Sequence, residues 1–111
     1  MENTLRYRKH ILVCTNDKEG GKKCCGSVHG MALVQAFKDE ILAKGIQMEV
    51  RAQKAGCFDI CGKGPTVVVY PEGVFYGNVQ LEDVPRIMEE HILGGTPVLE
   101  KQLSFPPFKA V

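Results

Sequence analysis

The sequence predicts a mixed α/β domain (α+β by some schemes) of order β-α-β-β-β-α, with four strands in one mixed sheet and two helices. Three observations carry this. Short apolar runs rich in β-branched residues are set off by turns containing Gly or Pro. Two longer stretches repeat apolar residues at intervals of three and four. The first of them lies between two strands, where a helical crossover makes the flanking strands parallel and right-handed.

The elements follow in order. His10–Cys14 (HILVC) reads as a buried strand that delivers Cys14 at its far end. Residues 16–26 (NDKEGGKKCCG) form a Gly- and Lys-rich loop containing Cys24 and Cys25. A helix follows from about Ser27 to Lys44, with Met31, Val34, Phe37 and Ile41 as its apolar stripe and Gly45 as its C-terminal stop. Ser27 suits an N-cap, and Gly30 weakens the first turn. Ile46–Arg51 (IQMEVR) alternates like a half-buried strand. A second loop, Lys54–Pro65 (KAGCFDICGKGP), brings Cys57 and Cys61. Thr66–Tyr70 (TVVVY) suits a central strand, Pro71-Glu72-Gly73 a turn, and Val74–Tyr76 its antiparallel partner. The second helix runs from about Leu81 to Leu93 on a stripe of Leu81, Val84, Met88 and Ile92. Glu82 and Asp83 stand at its positive end, Pro85 near its start, and Gly94-Gly95 closes it. This is a thioredoxin-like arrangement. We expect residues 1–103 to form the domain and residues 104–111 a C-terminal tail; Leu99, Leu103, Phe105 and Phe108 pack on the domain or on a partner.

With 111 residues the chain suits one domain, and 44% hydrophobic against 24% charged residues supports a real core rather than disorder. The net charge of +1 and the lack of any long Lys/Arg run argue against nucleic acid. Residues 1–10 are polar and basic, without the apolar stretch of a signal peptide. No apolar run approaches the roughly 20 residues of a membrane helix. The expected place is therefore the cytoplasm, where thiols stay reduced.

In that compartment five cysteines, an odd number with two adjacent, point to metal or redox chemistry rather than a disulfide framework. The predicted ligands lie in or beside Gly-rich loops that leave neighbouring parallel strands on one side, so Cys14 and Cys25 can meet Cys57 and Cys61. Four thiolates suit an iron–sulfur centre, and the loop glycines Gly56, Gly62 and Gly64 let backbone N–H groups turn toward sulfur. Structural zinc usually uses paired Cys-x2-Cys knuckles, which are missing here. A catalytic dithiol would use Cys-x-x-Cys at a helix start, also missing. Inert burial could account for Cys14 alone. His29 could replace a thiolate in Rieske fashion, but a Rieske iron takes two histidines; His10 and His91 have no ligand partners at a useful spacing, and all three read as structural or solvated. Glu82, Asp83, Glu89 and Glu90 read as a solvated face. No phosphate-cradling loop, Ser/His/Asp set or paired catalytic carboxylates occur, so the protein is not expected to be an enzyme.

Three segments carry a family resemblance: HILVC, GCFDICGKGPTVVVYPEGVFYGNV and EDVPRIMEEHILGG. Through them the chain resembles the thioredoxin-like [2Fe–2S] ferredoxins to about Leu103. The resemblance implies a one-electron carrier, one [2Fe–2S] cluster per chain cycling between its 2+ and 1+ states, and a homodimer. Carried over by position, Cys14 and Cys25 hold one iron and Cys57 and Cys61 the other. Counting back from Phe37, the family offset lands on Cys25, with Cys24 as the alternative. With the cluster, the net charge would become about −1, and about −2 on reduction. That suits transient docking to redox partner proteins, and neither nucleic acid nor membrane is expected. The alternative is an electron-transfer subunit or sensor of a larger redox complex of the NADH dehydrogenase or hydrogenase type. Pro65 resembles the position where thioredoxins have a cis proline bond, which would make Gly64–Pro65 cis.

Overall fold

The computed structural model describes residues 4–15, 27–56 and 65–108. It contains β1 (Lys9–Cys14), α1 (Ser27–Ala43), β2 (Val50–Ala55), β3 (Val67–Tyr70) and β4 (Val74–Tyr76). A composite second helix follows: a 3-10 turn (Leu81–Asp83), an α-helical turn α2 (Val84–Ile87) and a π-helical stretch (Met88–Leu93).

The sheet order is β2-β1-β3-β4. β1 runs parallel to β2, as the crossover requires, and antiparallel to β3, which forms a hairpin with β4. The interior strands β1 and β3 are the apolar runs, and Ile11, Val13, Val67, Val68 and Val69 are fully buried. Alternation sends Ile11, Val13, Val67 and Val69 into a core shared with Leu33, Phe37, Ile41, Ile87, Met88 and Ile92 of the helices. Both helices therefore lie on one face of the sheet. Each such side chain contributes about 1.5–3 kcal/mol by leaving water, so the α1 stripe alone anchors the crossover.

Four expectations need correction. The second strand begins at Val50, not Ile46. After α1 the chain reverses at Gly45, whose φ of 68° suits glycine. Ile46 N–H then bonds Ile41 O at 3.2 Å, and Glu49 and Val50 N–H both bond Ile46 O at 3.0 Å. This turn occupies Ile46–Glu49, Met48 is 73% exposed, and pairing starts with Val50 opposite Lys9.

The helix stripes also shift. Met31 and Leu81 are exposed, while Leu33, Ile87 and His91 take interior places. Leu81 sits in the 3-10 turn, where three residues per turn rotate it off the apolar face. The second helix is not one α-helix. Pro85 is tolerated in the first turn of its α segment, where no N–H is needed, and the wider π turns end at Gly94 and Gly95. Ser27 is the first residue of α1 rather than its cap.

The chain after the second helix packs back on the domain. Val98 enters the core, Gln102 bridges to Tyr76, and Leu103 N–H bonds Phe75 O at 2.7 Å. Phe105 stands edge-on to Phe75 with ring centroids 5.5 Å apart, whereas Leu99 and Phe108 face solvent. The Gly64–Pro65 bond lies outside the described residues; Tyr70–Pro71 is cis.

Candidate metal centre

The site grows from the end of β1. The parallel register brings Cys14 beside Ala55, and the antiparallel register brings Val13 beside Val67. β1 and β2 thus end, and β3 begins, on one edge of the sheet. The two cysteine-bearing segments, 16–26 and 57–64, leave from Thr15 and Gly56 at that edge, and the second returns there at Pro65. The edge is stitched by Thr15 N–H to Ala55 O at 3.2 Å, Cys14 N–H to Thr66 O at 3.1 Å, and Val79 N–H to Pro65 O at 3.0 Å.

Cys14 is buried, with 1% of its surface exposed, and stands outside the helix-side core. Its main chain is pressed by α1 at Gly30. A Cβ on Gly30 would lie 2.5 Å from Cys14 O and 2.8 Å from Thr15 Cγ2, so any side chain there would push helix and strand apart. Gly30, which propensity marks as a weak point of the first turn, is what lets α1 close over the edge.

Next to Cys14 stands Thr66, 1% exposed, whose hydroxyl has no hydrogen-bond partner. A buried thiol beside an unpartnered hydroxyl fits a group that takes sulfur ligation and accepts hydrogen bonds at its sulfurs, as an iron–sulfur cluster does. Cys24, Cys25, Cys57 and Cys61 lie outside the described residues. Among the described residues, no three His, Cys, Asp or Glu side chains gather as metal ligands.

The histidines serve the scaffold. His29 Nε2–H donates to Val79 O at 3.1 Å, tying the start of α1 to the chain after β4. His10 bonds Gln53 across β1 and β2 at 2.9 Å. His91 is fully buried, and hydrogen-bond logic assigns its partners. Val98 N–H donates to Tyr76 Oη at 2.9 Å, so the Tyr76 hydroxyl donates onward to His91 Nδ1 at 2.7 Å. His91 Nε2–H then donates to Glu72 Oε2 at 2.6 Å, and Lys9 Nζ reaches the same oxygen at 2.7 Å.

Burial alone would raise the Glu72 carboxyl, but the bonds from Lys9 and His91 outweigh it and hold the pKa below its ordinary value. Burial pushes the Tyr76 phenol up. The acidic residues of the second helix are largely paired on the surface: Asp83 with Lys101 at 3.1 Å, Glu89 with Lys44 at 2.8 Å and Glu90 with Arg86 at 2.7 Å.

Sequence reading passed over Thr66 and the Tyr76–His91–Glu72 chain. The one signal for Thr66 was a hydroxyl residue opening an otherwise apolar strand directly after Gly-Pro.

No protein-family model matches the chain. A 2Fe-2S ferredoxin from Clostridium pasteurianum is 43% identical over 98 residues, spanning 86% of this chain and 96% of that protein. A 2Fe-2S ferredoxin from Aquifex aeolicus is 40% identical over 93 residues, spanning 81% and 84%. Among solved structures, a thioredoxin-like [2Fe-2S] ferredoxin from Aquifex aeolicus superposes with a TM-score of 0.82 at 37% identity, covering 94% of this chain and 99% of that one. Fold, buried thiol edge and relatives agree: this chain belongs to the thioredoxin-like [2Fe–2S] ferredoxins.

Proposed function

We propose that the protein is a one-electron carrier that holds one [2Fe–2S] cluster on Cys14, Cys25, Cys57 and Cys61, with Cys24 as the alternative to Cys25. The observation that carries this is the shared edge: a buried Cys14 sits where both cysteine-bearing segments leave the sheet. Cys14 and Cys25 serve one iron, Cys57 and Cys61 the other. When bound, the cluster supplies reversible one-electron chemistry between its 2+ and 1+ states.

The chain's own residues set the conditions for that chemistry. The ladder around Cys14 fixes one ligand on a strand paired on both sides, which limits rearrangement as charge changes. Close packing at Gly30 and burial at Thr66 keep water from the inner side of the site. The protein does no bond-making chemistry of its own and is not an enzyme. Its partners are redox proteins that dock transiently, and its working form is a cytoplasmic homodimer that binds neither nucleic acid nor membrane. Among the described residues, no helix is long and apolar enough to cross a membrane.

The test is metal analysis and spectroscopy of freshly purified protein. A red-brown protein is expected, with about two iron and two sulfide per chain and a rhombic S = 1/2 signal after reduction. Colourless protein with one zinc per chain would overturn the reading. In the same assay Cys24→Ala should leave the spectrum intact and Cys25→Ala should shift it. The reverse pattern would exchange the two assignments.

A further inference from the structure

Thr66 is nearly solvent-free, and its hydroxyl makes no hydrogen bond. Buried hydroxyls almost always find a partner, because leaving one unpaired forfeits its hydration for nothing. Valine has the same shape without that cost, and the next three positions, Val67, Val68 and Val69, are all fully buried valines. A threonine in this place therefore asks for an acceptor.

The register shows where that acceptor would be. One step beyond the Val13–Val67 pair, Thr66 stands opposite Cys14, and Cys14 N–H donates to Thr66 O at 3.1 Å. Facing residues of an antiparallel pair project from the same side of the sheet, so the hydroxyl and the thiol are cross-strand neighbours. Sulfur near a cluster is the acceptor that this edge is built to receive.

We infer that the Thr66 hydroxyl donates a hydrogen bond to a sulfur of the [2Fe–2S] cluster or of its Cys14 ligand, and thereby raises the reduction potential. This rests on the functional reading above. The physical reason is charge. Reduction adds one negative charge that spreads onto the sulfurs, and a hydrogen bond to a more negative acceptor is stronger. The donor thus favours the reduced state. Thr66 acts on the potential and has no part in holding iron.

The test compares cluster-loaded wild type, Thr66→Val and Thr66→Ser by spectroelectrochemical titration. In Thr66→Val the ratio of reduced to oxidised protein at a fixed potential should fall about tenfold, equal to about 59 mV for one electron. Thr66→Ser, which keeps the hydroxyl, should stay near wild type. Pulsed electron-spin measurements on reduced protein in H2O and D2O give an independent readout: an exchangeable-proton coupling from the Thr66 hydroxyl, additional to those of backbone N–H groups, present in wild type and Thr66→Ser and lost from Thr66→Val. If the valine variant does not load, Thr66→Ala takes the same measurements.

An unmoved potential together with exchangeable-proton couplings identical in the hydroxyl-free variant and wild type would overturn the inference. Wild-type protein lacking iron and sulfide would overturn the functional reading itself, and the two failures are distinguishable by metal content.

Discussion

Beneath the β3–β4 turn, Tyr76, His91, Glu72 and Lys9 form a chain in which each linking donor has an acceptor, ending on a carboxylate that two donors share. At the loop-bearing edge, Thr66 is as deeply buried as Tyr76 and His91 yet has no partner, beside the buried Cys14. Both regions place polar atoms in a largely apolar domain, where an unmet hydrogen bond is costly. They meet that cost differently. The first region is closed on itself and acts as scaffold, locking the second helix and the Val98 segment to the hairpin. The second is complete only when something else supplies the acceptor. A finished polar network and an unfinished one, in the same small domain, separate what holds the fold from what serves the site.

Breaking the closed network should have the largest effect on stability. Tyr76→Phe leaves the Val98 N–H and His91 Nδ1 buried without a partner, each at about 1–3 kcal/mol. We expect a loss of about 3 kcal/mol in urea unfolding, with the cluster's potential unchanged. A shifted potential would show that the two regions are coupled and would break the comparison.

Gly30→Ala tests the other region. The added Cβ meets the Cys14 carbonyl oxygen at 2.5 Å. Overpacking of this kind costs about 1–3 kcal/mol, offset by about 1 kcal/mol of helix propensity gained over glycine. The net stability change should be small, about 1 kcal/mol. Cluster retention under chelator challenge should fall more than that figure suggests, because the displaced atoms belong to the strand that carries Cys14. Equal retention in wild type and variant would argue that the edge tolerates movement.

The smallest effect is a change of slope with pH. Glu72 has a folded-state pKa below its ordinary value, so its contribution is present above the ordinary carboxylate range and is lost as pH falls through the folded value. Glu72→Gln should therefore flatten the decline in stability below about pH 4 and leave the stability of the cluster edge at neutral pH nearly untouched. Thermal unfolding between neutral and acid pH measures it. A variant that keeps the full acid slope would assign that slope to other carboxylates.

Apolar periodicity made the element order, the parallel crossover and the hairpin legible, because burial on one face writes itself into spacing along the chain. The grouping of cysteines in Gly-rich segments marked the candidate site, since both segments leave neighbouring parallel strands at one end of the sheet. Periodicity failed at Ile46–Glu49, where an apolar-polar alternation belongs to a turn that hands its N–H groups back to Ile41 and Ile46. It failed again in the second helix, since 3-10 and π windings rotate side chains in ways a 3.6-residue count does not follow.

By itself, then, the sequence determined the order of elements, the family and the kind of chemistry, all of which depend on residue type and local spacing. Three features were decided only by tertiary structure: that Gly30 is the contact point of α1 and the strand carrying Cys14, that His91 links the buried Tyr76 to Glu72, and that Thr66 is left without a partner opposite Cys14. Each depends on which atoms lie within about 3 Å of one another across distant segments, and hydrogen bonding and steric exclusion act over that range alone.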